Sequence, residues 1–156
     1  DIAFYSARTI DPELTRLGRK VVSLFGLERK FFHIEFFKRG DDYIPIEINA
    51  RPPGGPILDL MNHALESDLY HHYAHLIARG SAQIPAEKKH YCAYISRKGG
   101  DHALSHDELL RRHGHTLVEY VENHPLYWEA MGRFRYIFRT PSQEQIREVL
   151  ADAVRR

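Results

Sequence analysis

The sequence predicts an α+β fold, an antiparallel β-sheet with flanking helices. Three observations lead there. Apolar residues recur at helical spacing near both ends of the chain, and period-two alternation marks several short runs between them. Glycine or proline punctuates most changes of period.

Asp11-Pro12 reads as a helix N-cap followed by proline at the first helical position. Leu14, Leu17, Val21, Leu24 and Phe25 follow at helical spacing, and Gly26 closes the helix. Residues 31–38 and 43–50 are rich in Phe, Ile and Tyr. The polar segment Lys38-Arg39-Gly40-Asp41-Asp42 between them completes the pattern of a β-hairpin. Residues 56–79 are helical in two pieces that break near Ser67-Asp68, with Leu69, Leu76 and Ile77 facing inward and Gly80 as the stop. Residues 81–89 form a polar linker with Pro85 and no domain boundary, so residues 1–156 are expected to be a single domain. Residues 90–97 read as a strand, Lys98-Gly99-Gly100-Asp101 as a turn, 105–113 as a short helix and 116–121 as another strand. Over residues 132–139, Phe134, Tyr136 and Phe138 fall on one face and Arg133, Arg135 and Arg139 on the other, expected to be solvated. Thr140-Pro141-Ser142-Gln143 carries capping-box spacing. Ile146, Val149, Leu150, Ala153 and Val154 then form the apolar stripe of a terminal docking helix.

Composition narrows the function classes. At 156 residues with 43% hydrophobic content the chain can build a real core. A formal net charge of +1, with dispersed Lys and Arg, gives no footprint for nucleic acid. No apolar run approaches the roughly 20 residues of a membrane span, and the start lacks a signal-peptide pattern. One cysteine excludes an internal disulfide framework. A cytoplasmic location is the expectation. The sequence leaves open whether the protein forms a homo-oligomer.

The chemistry concentrates in the hairpin. Alternation puts Ile44, Ile46 and Ile48 on one face of the second strand, expected to meet a core, and Glu47, Asn49 and Arg51 on the other. A turn centred near Asp41 sets Glu35 opposite Glu47 and His33 opposite Asn49. Opposed like charges in a sheet are destabilising. A hard divalent cation between them removes that cost, because Mg²⁺ takes oxygen ligands and is typically held by one or two carboxylates plus substrate phosphates. Asn49 adds a neutral oxygen, and Arg51 a planar fork suited to phosphate or carboxylate. Pro52-Pro53-Gly54-Gly55 follows immediately, a glycine turn that offers backbone N–H groups to an anion ahead of a helix. Glu, Asn and Arg on a solvent-facing strand are also ordinary surface decoration; here the spacing by two, with a second Glu on the neighbouring strand, favours the site.

Glu35, then Glu47-Ile48-Asn49-Ala50-Arg51 and Pro-Pro-Gly-Gly, resembles the metal-binding end of the ATP-grasp superfamily, whose members include biotin carboxylase, carbamoyl phosphate synthetase and many carboxylate–amine ligases. The resemblance is specific over about residues 11–80. It implies that Glu35, Glu47 and Asn49 hold Mg²⁺, or alternatively Mn²⁺, against the phosphates of ATP. It implies that Arg51 contacts the γ-phosphate or an acyl phosphate, and that Gly54 and Gly55 help hold the nucleotide or substrate. The implied partners are a small-molecule carboxylate and an amine. Nothing before Phe31 reads as a glycine-rich phosphate loop, since Gly18 sits inside an amphipathic helix. The chain is therefore expected to be the C-terminal lobe of an ATP-grasp fold, a partial domain without its N-terminal lobe and inactive alone; its opening on Asp1-Ile2-Ala3 fits a piece of a longer chain. Two other readings stay open: a non-catalytic module of the same fold, and an unrelated Mg²⁺-dependent hydrolase with paired carboxylates.

The remaining candidates are weaker. His71 and His75 have the i, i+4 spacing of zinc ligands without a third ligand nearby. Cys92 in a Tyr-rich strand, on the face of His90, reads as core. His33 is a candidate to support the metal ligands from behind, or a packed structural histidine. Tyr127 and Trp128 either line a substrate pocket or cap a core.

Overall fold

The alternating runs in the last third of the chain become a four-stranded antiparallel sheet in the structure, a computed structural model that describes residues 1–156. Its strands are β1 (Ile2–Ser6), β4 (Tyr91–Arg97), β5 (Leu117–Glu122) and β6 (Phe134–Thr140), in the order β1-β4-β6-β5. A separate two-stranded sheet pairs β2 (His33–Arg39) with β3 (Asp42–Asn49). The helices are α1 (Pro12–Leu24), α2 (Ile57–Leu65), α3 (Leu69–Arg79), α4 (His106–His113), the single turn α5 (Trp128–Met131) and α6 (Gln143–Val154). No helix is long and apolar enough to cross a membrane. The chain divides into two compact units, one of residues 1–8, 59–66 and 86–156, the other of residues 9–58 and 67–85.

The first unit has its own core. Cys92, Ala93, Tyr94 and Ile95 of β4 are all buried, because that strand is covered on both faces. On one face Ala93 and Ile95 join Tyr136, Phe138 and, from α4 and α6, Leu109, Ile146, Val149 and Ala153. On the other, Cys92 and Tyr94 join Ile137, Leu60 and Ala64. This is why the strand reads as an apolar run rather than as an alternation. The predicted stripe of α6 is thus the docking face, but its N-cap is Ser142, whose hydroxyl accepts from the Gln145 amide; the capping residue lies two positions beyond Thr140. A complete capping box occurs instead on α4, between Ser105 and Glu108. Strand β1, which periodicity does not reveal, pairs with β4 along the sheet edge.

The Arg133, Arg135 and Arg139 face is not simply solvated. Ile137 between them is fully buried, and each arginine meets a carboxylate: Glu122 at 2.8 Å, Glu119 at 3.2 Å and Glu66 at 3.6 Å. Tyr127 and Trp128 are exposed; the indole Nε1 donates to the Asn123 carbonyl and Arg133 stacks over the ring.

The second unit follows the predicted elements more closely than the predicted burial. Asp11 caps α1 by accepting from the Glu13 amide, and its carboxylate also accepts from the Tyr43 hydroxyl of β3 at 2.9 Å. Both bonds hold the Asp11 carboxyl below its usual range, the Glu13 amide most. No residue of α1 is buried, and Leu24 and Phe25 stand in solvent. Asp68 caps α3 and Gly80 ends it in the left-handed conformation, as expected. Leu69 is buried, but Ile77 is 67% exposed and does not face inward.

The hairpin contains a bulge. Glu35 pairs with Glu47, but the next residue, Phe36, pairs with Pro45, leaving Ile46 as the extra residue. One extra residue reverses the alternation on its strand. Ile44 therefore pairs with Phe37, and Ile44, Ile46 and Phe37 are all exposed. Of the expected core face of Ile44, Ile46 and Ile48, only Ile48 is withdrawn from solvent, and it is half-buried.

Candidate metal and phosphate site

Below the bulge the register is the one that alternation predicts. His33 lies opposite Asn49 and Glu35 opposite Glu47, so four polar side chains share one face of a two-stranded ribbon. One ligand atom each from His33, Glu35 and Glu47 lies within 4.8 Å of the others. Around an octahedral ion with bonds of about 2.1 Å, neighbouring ligands sit about 3 Å apart and opposite ones about 4 Å. A small contraction of exposed carboxylates would close the set. The donors fit a hard cation: two flexible carboxylates, with an amide and an imidazole beside them.

Asn49 bridges the group. Its Nδ2 donates to Glu47 Oε1 at 2.7 Å and lies 3.1 Å from His33 Nε2. A half-turn of the carboxamide exchanges nitrogen for oxygen with almost no change of shape. The same residue can thus bond the carboxylate through hydrogen or offer its oxygen to an ion. His33 Nε2 is also 3.8 Å from Glu47 Oε1, and its Nδ1 is buried without a partner. Alternation places this residue, two before Glu35, opposite Asn49, as expected. The structure brings it to ligand distance rather than behind the ligands.

Arg51 does not join the cluster. It follows the end of β3, and its Nη1 donates to the Pro52 carbonyl at 3.0 Å. Gly54 and Gly55 are exposed, their amides make no hydrogen bond within the chain, and Gly55 has φ +61°, which suits glycine. The turn leads into α2 through the buried Pro56.

Elsewhere the weaker candidates resolve. His71 and His75 have ring centroids 6.3 Å apart, but His75 Nδ1 is on the Ser81 carbonyl at 2.8 Å and no third ligand completes a set. Cys92 is fully buried, and burial pushes its thiol up to about 12. A cluster that sequence reasoning missed joins α4 to α6, where His113 Nε2 is 3.0 Å from Asp152 Oδ2 beside Glu148. Arg112 is 3.1 Å from Asp152 and 3.2 Å from Glu148, so these carboxylates already have cationic partners. That cluster ties two helices together.

No family model matches the chain, and no curated protein matches its sequence. Solved structures do match its fold. Phosphoribosylglycinamide synthetase from Anaerococcus prevotii superposes with a TM-score of 0.66 at 10% identity, covering 98% of this chain and 43% of that one. The phosphoribosylaminoimidazole carboxylase ATPase subunit from Aquifex aeolicus superposes with a TM-score of 0.63 at 14% identity, covering 97% and 48%. The chain thus spans less than half the length of either. The chain therefore shares its mixed helix-and-strand fold with part of each of these two proteins.

Proposed function

We propose that this chain is the metal-binding part of an ATP-dependent ligase that activates a small carboxylate for attack by an amine. The observation that carries the reading is the pairing of Glu35 with Glu47 and His33 with Asn49 on one hairpin face. The fold shared with a synthetase and with an ATPase subunit supports it.

Glu35, Glu47 and Asn49 would hold Mg²⁺ or Mn²⁺, with His33 as a nitrogen donor. A bound cation would neutralise charge on the β- and γ-phosphates of ATP. Glu35 and Glu47 would present their carboxylates to that ion, and Asn49, after a half-turn of its carboxamide, its amide oxygen. The substrate carboxylate oxygen attacks the γ-phosphorus, ADP leaves, and an acyl phosphate forms. The amine then attacks the acyl carbon and inorganic phosphate departs with the C–O bonding pair. Arg51 leaves the Pro52 carbonyl and meets the developing phosphate charge with its planar fork. The free amides of Gly54 and Gly55 offer further donors. Catalysis here is mainly positioning and electrostatics, as in phosphoryl transfer generally.

The test is ADP release by the full-length protein given Mg·ATP, pooled amino acids and small carboxylates. Glu47→Gln should cut substrate-dependent turnover on the order of a hundred- to a thousand-fold while leaving the fold intact. Near-normal turnover in that variant would overturn the assignment, and substrate turnover without ATP would identify a hydrolase instead.

A further inference from the structure

The turn after β4 borders a concavity of about 320 Å³ that lies wholly within the first unit and uses none of the hairpin residues. Arg97, Lys98, Gly99, His106, Phe134 and Tyr136 supply most of its character. The volume falls in the usual range for a small-molecule site, about 300–1,000 Å³.

Arg97 is the unusual member. It is 6% exposed, and its guanidinium donates to two neutral acceptors, the Ala153 carbonyl at 2.8 Å and the Leu104 carbonyl at 2.7 Å. No carboxylate lies within ion-pair range of it. The contrast with the next strand is direct: Arg133, Arg135 and Arg139 of the β6 segment are all more exposed, and all three have a Glu partner. The phenol of Tyr136 interacts with Arg97 but cannot neutralise it, because burial pushes that phenol up to about 12. The Tyr136 hydroxyl is engaged with His106 Nδ1 at 2.8 Å. A buried cation without a counter-charge is costly, and an anion from solution removes the cost.

The surroundings add to this. The Lys98 ammonium makes no hydrogen bond or ion pair within the chain, while Arg133 also borders the concavity. Asp101 is the one carboxylate on its wall. The nearby carboxylates of Asp1 and Glu108 are occupied, the first by His102 and the Lys98 amide, the second by Ser105. Beside the cations, the His106 ring stacks on Phe134 with centroids 5.2 Å apart and planes 23° apart. That pair offers a flat apolar surface. Gly132 makes the approach of the two strands feasible: at φ +79° a Cβ there would collide with the Arg97 carbonyl oxygen.

We propose that this concavity binds a small organic anion, its carboxylate or phosphate head against Arg97 and Lys98 and its flat or apolar body against His106 and Phe134. Benzoate and phenyl phosphate are the probes, titrated calorimetrically into the full-length protein without metal. Saturable binding of either, at a dissociation constant of about 1 mM or tighter, supports the site, and the tighter probe identifies the head group. Lys98→Glu, a reversal at a side chain with no partner to lose, should weaken that binding about ten-fold or more, and Glu47→Gln should leave it unchanged. Three results would overturn the proposal: neither probe binding the folded protein, Lys98→Glu binding as well as the parent, or Glu47→Gln losing the probe.

Discussion

The two units of this chain use similar side chains to opposite ends. In the first, Tyr136 and Phe138 of β6 are fully buried and α6 lays Ile146, Val149 and Ala153 onto the sheet. In the second, Phe37, Ile44 and Ile46 of the hairpin are exposed, and the apolar residues of α1 are at most half-buried. The first unit is organised around apolar contact. The second has few buried side chains, Pro56, Leu58 and Leu69, beside its hairpin pairing, helix caps and bonds such as that from Tyr43 to Asp11, and an isolated two-stranded ribbon is marginal in water. Its polar face nonetheless keeps the register that pairs Glu35 with Glu47 and His33 with Asn49. Most of the buried apolar side chains lie in one unit and the candidate chemistry in the other.

That contrast can be broken by paired truncations. Phe138→Ala should cost about 3–5 kcal/mol of unfolding free energy, whereas Phe37→Ala should stay within about 0.5 kcal/mol, both read from urea midpoints at constant slope. Equal losses would contradict the division. Hydrogen exchange gives the next effect. Amides of β2 and β3 should exchange faster than those of β4 and β6, and Mg·ATP should slow exchange in the hairpin while leaving β4 as it was. Uniform protection would dissolve the distinction. A smaller shift is expected at His33: an imidazole donor favours Mn²⁺ over Mg²⁺, so His33→Ala should weaken Mn²⁺ about ten-fold and Mg²⁺ less. The smallest effect belongs to Cys92. A thiol pushed up to about 12 in a closed core should resist alkylation near neutral pH until the first unit unfolds, and prompt labelling of the native protein would show that core to be open.

How much of this was legible in the sequence differs between the units for physical reasons. The register that sets Glu35 against Glu47 follows from strand parity and one turn position, both local. The bulge at Ile46 is local too, but no residue type announces it, and it sent Ile44 and Ile46 to the wrong side. Strand β1 was missed because five residues at an edge carry too little periodicity. The α6 stripe was readable because apolar spacing records docking directly, while Ile77 was misplaced because a helical apolar position need not meet a partner. Arg51 shows a further gap: spacing by two assumes the strand continues, and β3 ends at Asn49. The α4–α6 cluster and the unpaired charge of Arg97 depend on contacts across tens of residues, and no sequence window contains them.

On the proposed function, the hairpin face holds a divalent cation against a nucleotide's phosphates. Calorimetric titration of the full-length protein with ATP, with and without Mg²⁺, tests it most directly when the parent is compared with the double variant Glu35→Gln/Glu47→Gln. Mg²⁺ should strengthen ATP binding in the parent, and the double variant should lose this enhancement while keeping its melting temperature. An enhancement of equal size in the folded double variant would contradict it.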